Sequence, residues 1–242
     1  DARVGKVLFT STDKAVNPTN VMGTSKLMGE RLITSAAALR RHDASTVFAS
    51  TRFGNVLGSA GSVVPLFLQQ IQQGGPVTLT DPGMSRFVMT LQDSISLVLK
   101  AMEQCHGGEV FVTKMPVLYV ETLARLMIQT LAPAFGYSPE TVRVRTIGKR
   151  PGEKIYEQLI TEEEAGRTLL TQDFLVVLPA FRAMFREVTF SYPGEQGEPE
   201  SSYDSHKLEP MDEPAIKDML AAPGVLPDDL RERLNAAVRG AA

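Results

Sequence analysis

The chain has 242 residues, of which 43% are hydrophobic and 22% are charged, and its net charge is −3. This composition is ordinary for a globular protein and allows one large domain or two small ones. The sequence contains no basic stripe, so nucleic acid is not an expected partner. One cysteine and three ungrouped histidines exclude an internal disulfide and disfavour a zinc site. The single thiol fits a reducing compartment, and no apolar run approaches the ~18 residues of a membrane span.

The first predicted elements are a strand, a helix and a second strand. The apolar run Val7–Phe9 predicts a buried strand, residues 21–41 predict an amphipathic helix, and residues 45–52 predict the second strand. The segment Asn17–Asn20 interrupts the chain before the helix and offers N-caps. The apolar face of the helix would consist of Leu27, Leu32, Ile33, Ala36, Ala37 and Leu39. A strand, a helix and a strand form a βαβ unit, so we expect a sheet that is at least partly parallel.

Polar side chains follow the first strand directly. Residues Ser11–Lys14 place hydroxyls, a carboxylate and an ammonium where this strand gives way to a loop. Ligands of open α/β sheets bind outside the carboxyl ends of the strands. Met22 and Lys26 are four residues apart, so they share one helix face near the first turn, and that face can look back at the polar cluster. Each residue alone has an ordinary structural explanation, but together they predict a site.

A glycine-rich segment follows the second strand. Gly54, Gly58 and Gly61 would let the backbone approach a ligand closely, although a simple turn into a helix at 64–73 explains them equally well. Asn55 offers both a donor and an acceptor at the end of the strand. The G-x-G-x-x-G fingerprint of dinucleotide-binding proteins is absent from the chain.

The rest of the pattern alternates short strands and helices. Strands are predicted at 77–80, 109–113, 142–147 and 174–178, and helices at 92–104, 120–131, 155–160, 161–168, 211–220 and 228–238. The run Glu162–Glu164 would be a solvated helix start. Arg86 lies among apolar residues, so an anionic partner is expected. Arg150 and Glu153 straddle a Pro-Gly turn and suit phosphate oxygens and ribose hydroxyls respectively, with an exposed charged turn as an equal alternative.

Five motifs occur in a characteristic order. They are STDKAVNPTNVMGTSK (Ser11–Lys26), RFGNVLGSAGSVVP (Arg52–Pro65), GGPVTLTDPGMSRFVMT (Gly74–Thr90), GGEVFV (Gly107–Val112) and RPGEK (Arg150–Lys154). Together they resemble the extended short-chain dehydrogenase/reductase superfamily and, within it, the CapD-like UDP-N-acetylglucosamine 4,6-dehydratases of bacterial polysaccharide biosynthesis. The match covers about two-thirds of the chain, and the segment from Ser191 onward matches poorly. The resemblance implies an α/β fold, the C-terminal portion of a Rossmann-type parallel sheet with a smaller α/β substrate-binding region.

The resemblance also implies a reaction. In this family a bound NAD or NADP accepts a hydride from C4 of the sugar, water is lost across C5 and C6, and the hydride returns at C6. Lys14 would be the base at C5, and Asp13 would be the acid that protonates the departing C6 hydroxyl. Thr12 would orient the C4 hydroxyl. Lys26 would bind the nicotinamide ribose and lower nearby pKa values by its charge, with Ser11 also at the cofactor.

A site for a UDP-sugar is implied as well. Its residues would be Asn55, Val64, Arg86, Arg150 and Glu153. Arg86 and Arg150 would contact the diphosphate and Glu153 the ribose. The expected domains are the remainder of the Rossmann domain at 1–73, joined by the strand 107–115, a mainly substrate-binding region at 74–190, and a divergent C-terminal tail at 191–242.

Two features depart from the family pattern. Met22 stands where most of the superfamily has a tyrosine. A thioether cannot transfer a proton, so Met22 cannot be the base for C4 oxidation. A methionine at this position resembles a subgroup of large, often membrane-anchored dehydratases in which methionine is functional. The N-terminal Rossmann half with its glycine fingerprint is missing, about 120 residues at about 30 per βαβ unit. We therefore expect a fragment that binds NAD poorly and is weak or inactive alone.

Alternatives to the dehydratase are a non-catalytic nucleotide-sugar-binding paralogue and another extended dehydrogenase such as a 4-epimerase. An epimerase needs no base and acid at C5 and C6, so the Asp13–Lys14 pair favours the dehydratase. The expected location is the cytoplasm, with membrane attachment at the inner face only through the missing N-terminal part. The superfamily also suggests a homo-oligomer.

Overall fold

The computed structural model describes residues 4–39, 46–199 and 201–240, with side chains as far as residue 234. The chain divides into two compact units. Unit 1 consists of Asp1–Gly54, Gln92–Met115 and Glu157–Lys207, and unit 2 consists of Asn55–Leu91, Pro116–Tyr156 and Leu208–Ala242. These boundaries differ from the predicted ones, because residues 55–73 lie in unit 2, residues 157–190 lie in unit 1, and the C-terminal tail is divided between the two.

The strands and helices follow one another closely along the chain. The strands are β1 (Lys6–Thr12), β2 (Val47–Phe53), β3 (Asn55–Val56), β4 (Val77–Leu79), β5 (Ser85–Met89), β6 (Val110–Thr113), β7 (Val117–Tyr119), β8 (Val144–Thr146), β9 (Gln158–Ile160), β10 (Thr168–Leu170), β11 (Phe174–Val177) and β12 (Tyr203–Asp204). The helices are α1 (Val21–Ala38), α2 (Val63–Gln72), α3 (Leu91–Gln104), α4 (Val120–Leu131), α5 (Glu162–Ala165), α6 (Glu213–Leu220) and α7 (Asp228–Gly240). Short 3-10 helices occur at Asp13–Ala15, Ala132–Phe135, Pro139–Thr141 and Arg182–Phe185.

Unit 1 is built on a five-stranded sheet in the order β1-β2-β6-β11-β10. Strands β1, β2 and β6 are parallel, and β11 and β10 each pair antiparallel with the preceding strand of that order. The predicted βαβ unit and the Rossmann-type α/β fold are therefore confirmed. The strand at Val7–Phe9 is confirmed too, but these side chains are only half-buried, because β1 lies at the edge of the sheet.

Helix α1 begins where the sequence predicts, but its apolar face is not the one expected. The side-chain oxygen of Asn20 accepts a hydrogen bond from the backbone N–H of Gly23 (2.9 Å) and caps the helix. The predicted end at 40–41 lies outside the described residues. Leu32 and Leu39 are 63% and 72% exposed, so the predicted face is wrong at these positions. The helix instead approaches the sheet through small residues.

The segment between Ile155 and Thr168 corrects two predictions. The helix predicted at 155–160 is wrong, since Gln158–Ile160 is β9 and pairs antiparallel with β12. The helix predicted at 161–168 is one turn long, because β10 already begins at Thr168. The run Glu162–Glu164 is not wholly solvated, as Glu164 is buried.

Unit 2 is organised around an apolar core. Its small sheets have the orders β3-β5-β7 and β4-β8. The core side chains come largely from α2 and α4, and α6 and α7 add Ile216, Leu220, Leu230 and Leu234. The helices predicted at 120–131, 211–220 and 228–238 are thus confirmed, and the last two belong to this core rather than to a loose tail. Among the described residues, none of the helices combines the length and the apolar character that crossing a membrane requires.

Candidate active centre

Asp13 lies directly after β1 and is fully buried, with 0% of its surface exposed. Its Oδ1 atom accepts hydrogen bonds from Thr12 Oγ1 and from Lys14 Nζ, each at 2.8 Å. Its Oδ2 atom is also buried and has no hydrogen-bond partner among the described residues. Burying a carboxylate oxygen without a partner is costly. This oxygen can therefore accept a hydrogen bond from a group outside the described residues.

Lys26 brings a second ammonium to the same strand. Its Nζ atom donates a hydrogen bond to the carbonyl oxygen of Thr10 (2.9 Å) and lies 5.2 Å from the centre of the Phe9 ring. The hydroxyl of Ser11 is buried near the end of β1 and has no hydrogen-bond partner among the described residues. Met22 is 47% exposed in the first turn of α1. The structure thus brings Lys26 to Thr10, the residue before the polar cluster that this helix face is predicted to look back at, and a contact of Met22 with that cluster stays a prediction.

Two glycines let α1 approach β1 closely enough for this contact. A Cβ atom on Gly23 would lie 2.2 Å from the carbonyl oxygen of Lys14, and one on Gly29 would lie 2.2 Å from the Phe9 ring. Real Cβ atoms do not approach other atoms so closely, so a larger residue at position 23 would push the helix away from the backbone of Lys14, and one at position 29 would displace the Phe9 ring or the helix. Lys26 lies between the two glycines in sequence and is held at this short distance.

Sequence reasoning missed a buried cluster of three charged residues in unit 1. Arg52 is 1% exposed. It donates two hydrogen bonds to Glu30 (2.9 and 2.8 Å), two to Glu164 (2.8 and 2.7 Å) and one to the carbonyl oxygen of Leu159 (2.8 Å). The signal was present in the sequence, since Arg52 ends a strand that is otherwise predicted to be buried.

Arg52 and Glu164 stabilise each other's charged form. Burial alone would lower the pKa of Arg52, but Glu30 and Glu164 outweigh this effect and raise it. Burial would raise the pKa of Glu164, but the hydrogen bonds and the positive charge of Arg52 hold it at about 2. Arg52 and Glu164 therefore remain charged, and the hydrogen bonds pair Arg52 with both carboxylates.

In unit 2, Asn55 lies in β3 beside β5. Its side-chain Oδ1 atom is buried and has no hydrogen-bond partner within the described ranges. The side chain of Val64 is fully buried in the apolar core, so only its backbone is left to contact a ligand. At Gly58 the close approach is to the chain itself, because a Cβ atom there would lie 2.3 Å from the carbonyl oxygen of Gly224.

The structure also brings Arg86 to the loop that contains Arg150 and Glu153. The guanidinium of Arg86 donates to the carbonyl oxygens of Ser85 (2.7 Å), Lys154 (2.8 Å) and Ile155 (3.1 Å). Within the loop, the backbone N–H of Arg150 donates to the carboxylate of Glu153 (3.1 Å). Two of the three predicted charged residues are thus joined directly, and Arg86 anchors the segment that follows them. In the part of the chain that the structure describes, no group of His, Cys, Asp and Glu side chains could hold a metal ion.

The model of a family described as polysaccharide biosynthesis protein matches residues 1–179 of the chain. An uncharacterized membrane protein of Methanocaldococcus jannaschii is 50% identical over 179 residues, which are 74% of this chain and 54% of that protein. A UDP-glucose 4-epimerase of Rickettsia bellii is 45% identical over 68% of this chain and 46% of its own length. The capsular polysaccharide biosynthesis protein CapD of Staphylococcus aureus is 46% identical over 68% of this chain and 26% of its own length. The chain therefore spans about half the length, or less, of these relatives.

Solved structures extend the match beyond residue 179. The X-ray structure of Pen from Bacillus thuringiensis superposes with a TM-score of 0.81 and 35% identity, over 93% of this chain and 64% of that one. DesIV of Streptomyces venezuelae, a dTDP-glucose 4,6-dehydratase with NAD and TYD bound, gives a TM-score of 0.54 and 20% identity, over 64% of this chain and 51% of that one. At this lower identity the likeness concerns the fold alone.

Proposed function

This chain belongs to the polysaccharide biosynthesis protein family, a CapD-like group of extended short-chain dehydrogenase/reductases, and we propose that it forms the catalytic and substrate-binding part of a UDP-N-acetylglucosamine 4,6-dehydratase. Membership of this family supports a role as a nucleotide-sugar dehydratase or epimerase. The dehydratase assignment rests on one observation, the buried Asp13 carboxylate with its direct hydrogen bond to Lys14.

Loss of water across C5 and C6 of the sugar needs a base for the C5 proton and an acid for the C6 oxygen. Lys14 would be the base and Asp13 the acid. Moving one proton along their 2.8 Å hydrogen bond converts the ammonium and carboxylate into an amine and a carboxylic acid, which are the forms that the elimination requires. After Lys14 gains the C5 proton and Asp13 gives its proton to the leaving hydroxyl, the pair is again an ammonium and a carboxylate.

The residues at the end of β1 also fit a nicotinamide nucleotide. Ser11 offers a buried hydroxyl without a partner among the described residues, and Lys26 offers an ammonium near the same strand end. These two groups would hold the nicotinamide ribose. Bound NAD or NADP would supply the hydride acceptor for C4 and the hydride donor for C6. Thr12 would turn its hydroxyl from Asp13 towards the C4 oxygen, and Met22 would provide contact without proton transfer.

The UDP moiety would be held by unit 2. Arg150 and Glu153 stand on an exposed loop and would contact the diphosphate and the ribose, since an arginine fork matches phosphate oxygens. Arg86 would place that loop through its bonds to the backbone and contribute positive charge. Asn55 would use its unpartnered Oδ1 atom as an acceptor, and Val64 would contribute only its backbone.

The test is a product assay of the whole parent protein with UDP-N-acetylglucosamine and NAD. We expect a 4-keto-6-deoxy sugar, and we expect the 242-residue chain alone to be weak or inactive. Lys14→Ala should lower the rate of water loss by about 10²–10⁴-fold while C4 oxidation, seen as reduced cofactor, persists. The exposed Lys100, paired with Asp173 (2.9 Å), gives the control variant Lys100→Ala, which should change neither step.

If Lys14→Ala lost water from the sugar at the wild-type rate, Lys14 would not be the base at C5. Robust turnover by the isolated chain would overturn the fragment proposal.

The Rickettsia bellii relative favours a second candidate, a 4-epimerase. Its product would keep the C6 hydroxyl and differ only in the configuration at C4, which NMR of the product separates at once. A third outcome, binding of UDP without binding of NAD in calorimetry, would favour a non-catalytic nucleotide-sugar-binding protein.

A further inference from the structure

Helix α1 carries Lys26, yet none of its described large apolar side chains is fully buried. The fully buried residues of its described side chains are Gly23 and Glu30. Of its large apolar residues, Met28 and Leu32 are exposed, whereas Leu27 and Ile33 are half-buried. A helix on a sheet is ordinarily positioned by the packing of an apolar stripe. Here the apolar stripe is incomplete, so contacts of another kind must help to position α1.

The glycines set how closely α1 can approach β1, but contact between backbone and a ring does not fix rotation or sliding. Glu30 supplies a directional contact. It lies one helical turn after Lys26, and its two carboxylate oxygens bind the Nε and Nη2 atoms of Arg52 at 2.9 and 2.8 Å. Two parallel hydrogen bonds between planar groups define both a distance and an orientation.

The other side of Arg52 holds a different part of unit 1. Its guanidinium binds the carbonyl oxygen of Leu159 in β9 and both carboxylate oxygens of Glu164 in α5. Strand β9 in turn contacts the short helix Asp13–Ala15. Arg52 itself is paired in register with Ser11 of β1. One side chain therefore connects the helix of Lys26 with the strand that packs against the turn of Asp13.

Stability alone does not account for this cluster. Removing three charges from water costs several kcal/mol per ion, and well-packed apolar residues of similar volume often serve a fold equally well or better. What an apolar set does not provide is directional bonding between three separate elements. The cluster therefore supplies directional contacts that apolar residues of the same volume would not supply.

We propose that Arg52 is a positioning residue of the active centre, which holds Lys26 at the end of β1 through Glu30 and supports the Asp13 turn through β9. The proposal deepens the proposed function, because it assumes that Lys26 serves the cofactor. Its physical content is independent of the substrate. If Arg52 is lost without loss of folding, Lys26 should leave the carbonyl oxygen of Thr10 and enter solvent.

The experiment uses the 242-residue chain with its lysines reductively methylated with ¹³C, observed by NMR without cofactor or sugar. Lys26→Arg identifies the signal of Lys26. The main variant combines Arg52→Met, Glu30→Leu and Glu164→Leu, so that no charge is left buried and unpaired. We expect its thermal midpoint to stay within a few degrees of the wild type. The signal of Lys26 should move to the position of an exposed lysine such as Lys149.

A Lys26 signal that keeps its wild-type position in a folded triple variant overturns the proposal. If the triple variant does not fold, Glu30→Gln provides the second measurement, since it keeps the shape of the side chain but breaks the paired geometry. A partial shift of the Lys26 signal is then expected, and an unchanged signal with a lowered thermal midpoint would show a merely structural role. Arg125→Met, which removes an exposed pair with Glu121, is the control that should leave the signal in place. Because neither NAD nor a UDP-sugar is added, failure here is distinct from failure of the dehydratase assignment.

Discussion

The two units of the chain specify their structure by different means. Unit 1 buries charged side chains on several elements, namely Asp13, Glu30, Arg52, Glu109, Glu157, Glu164 and Asp204. Unit 2 buries Arg86 but otherwise relies on a continuous apolar cluster contributed by α2, α4, α6 and α7. Apolar packing is non-directional, whereas charged hydrogen bonds fix angles. The unit proposed to carry out proton transfer is thus the one whose elements are placed by directional bonds.

The largest loss in the free energy of unfolding is expected from the single substitution Arg52→Met in unit 1. It leaves Glu30 and Glu164 buried without their cation, and breaking a buried ion pair from one side costs about 3–5 kcal/mol. The free energy of unfolding from urea titration measures the loss. Arg125→Met, in an exposed pair with Glu121, should cost no more than about 1 kcal/mol. Equal losses in the two variants would contradict the importance of directional bonding in unit 1.

A comparable loss is expected in unit 2 from an uncharged deletion. Phe67→Ala removes a side chain that is buried in α2, and such cavities cost about 3–5 kcal/mol. The preceding residue, Leu66, is exposed, so Leu66→Ala should change the free energy of unfolding by about 0.5 kcal/mol or less. If both variants were equally stable, the apolar cluster would not be what stabilises unit 2.

The pH dependence of the free energy of unfolding should distinguish the contribution of the charged cluster in unit 1 from that of apolar packing. The pKa of Glu164 is about 2 in the folded chain and 4.5 for an unperturbed carboxyl. The unfolded state therefore binds the proton first as the pH falls. Stability from this group is complete above about pH 4.5 and is lost towards pH 2, a total of about 3 kcal/mol. Glu164→Gln should flatten the curve of unfolding free energy between these pH values, and an unchanged slope would argue against the ionised cluster.

The smallest effect is expected from the helix caps, where the two units should behave alike. Asn20 caps α1 in unit 1 through Gly23, and Asp212 caps α6 in unit 2 through Ala215, each with a 2.9 Å hydrogen bond. Replacing either cap with alanine should cost about 1 kcal/mol, and replacing it with serine much less. A large difference between the two alanine variants would show that the contrast between the units extends to local structure.

Local patterns made much of the fold predictable. The β1-α1-β2 unit follows from an apolar run, a capping asparagine and a second apolar run, all within about fifty residues of one another. Helix α4 matches its predicted bounds because its apolar period is regular and long. The cluster at Thr12–Lys14 was also predictable, because its hydrogen bonds join neighbouring residues.

The errors come from contacts between distant parts of the chain. Strand β9 has three residues, too few to show a period, and its partner strand begins at Tyr203. Glu164 reads as the solvated start of a helix, but Arg52 binds it from 112 residues away. The same holds for α1, whose exposed leucines mimic a core face while Glu30 is the buried contact. Tertiary partners of this kind leave no local signal in a single sequence.

The position of α6 and α7 has a consequence for where the chain can be divided. The family match ends at residue 179, but Ile216, Leu220, Leu230 and Leu234 lie beyond it and complete the apolar cluster of unit 2. A polypeptide shortened to the shared part would turn the inner sides of α2 and α4 towards water, and surfaces of that kind promote aggregation. The part of the chain that the family model covers is therefore shorter than the part that unit 2 needs in order to fold.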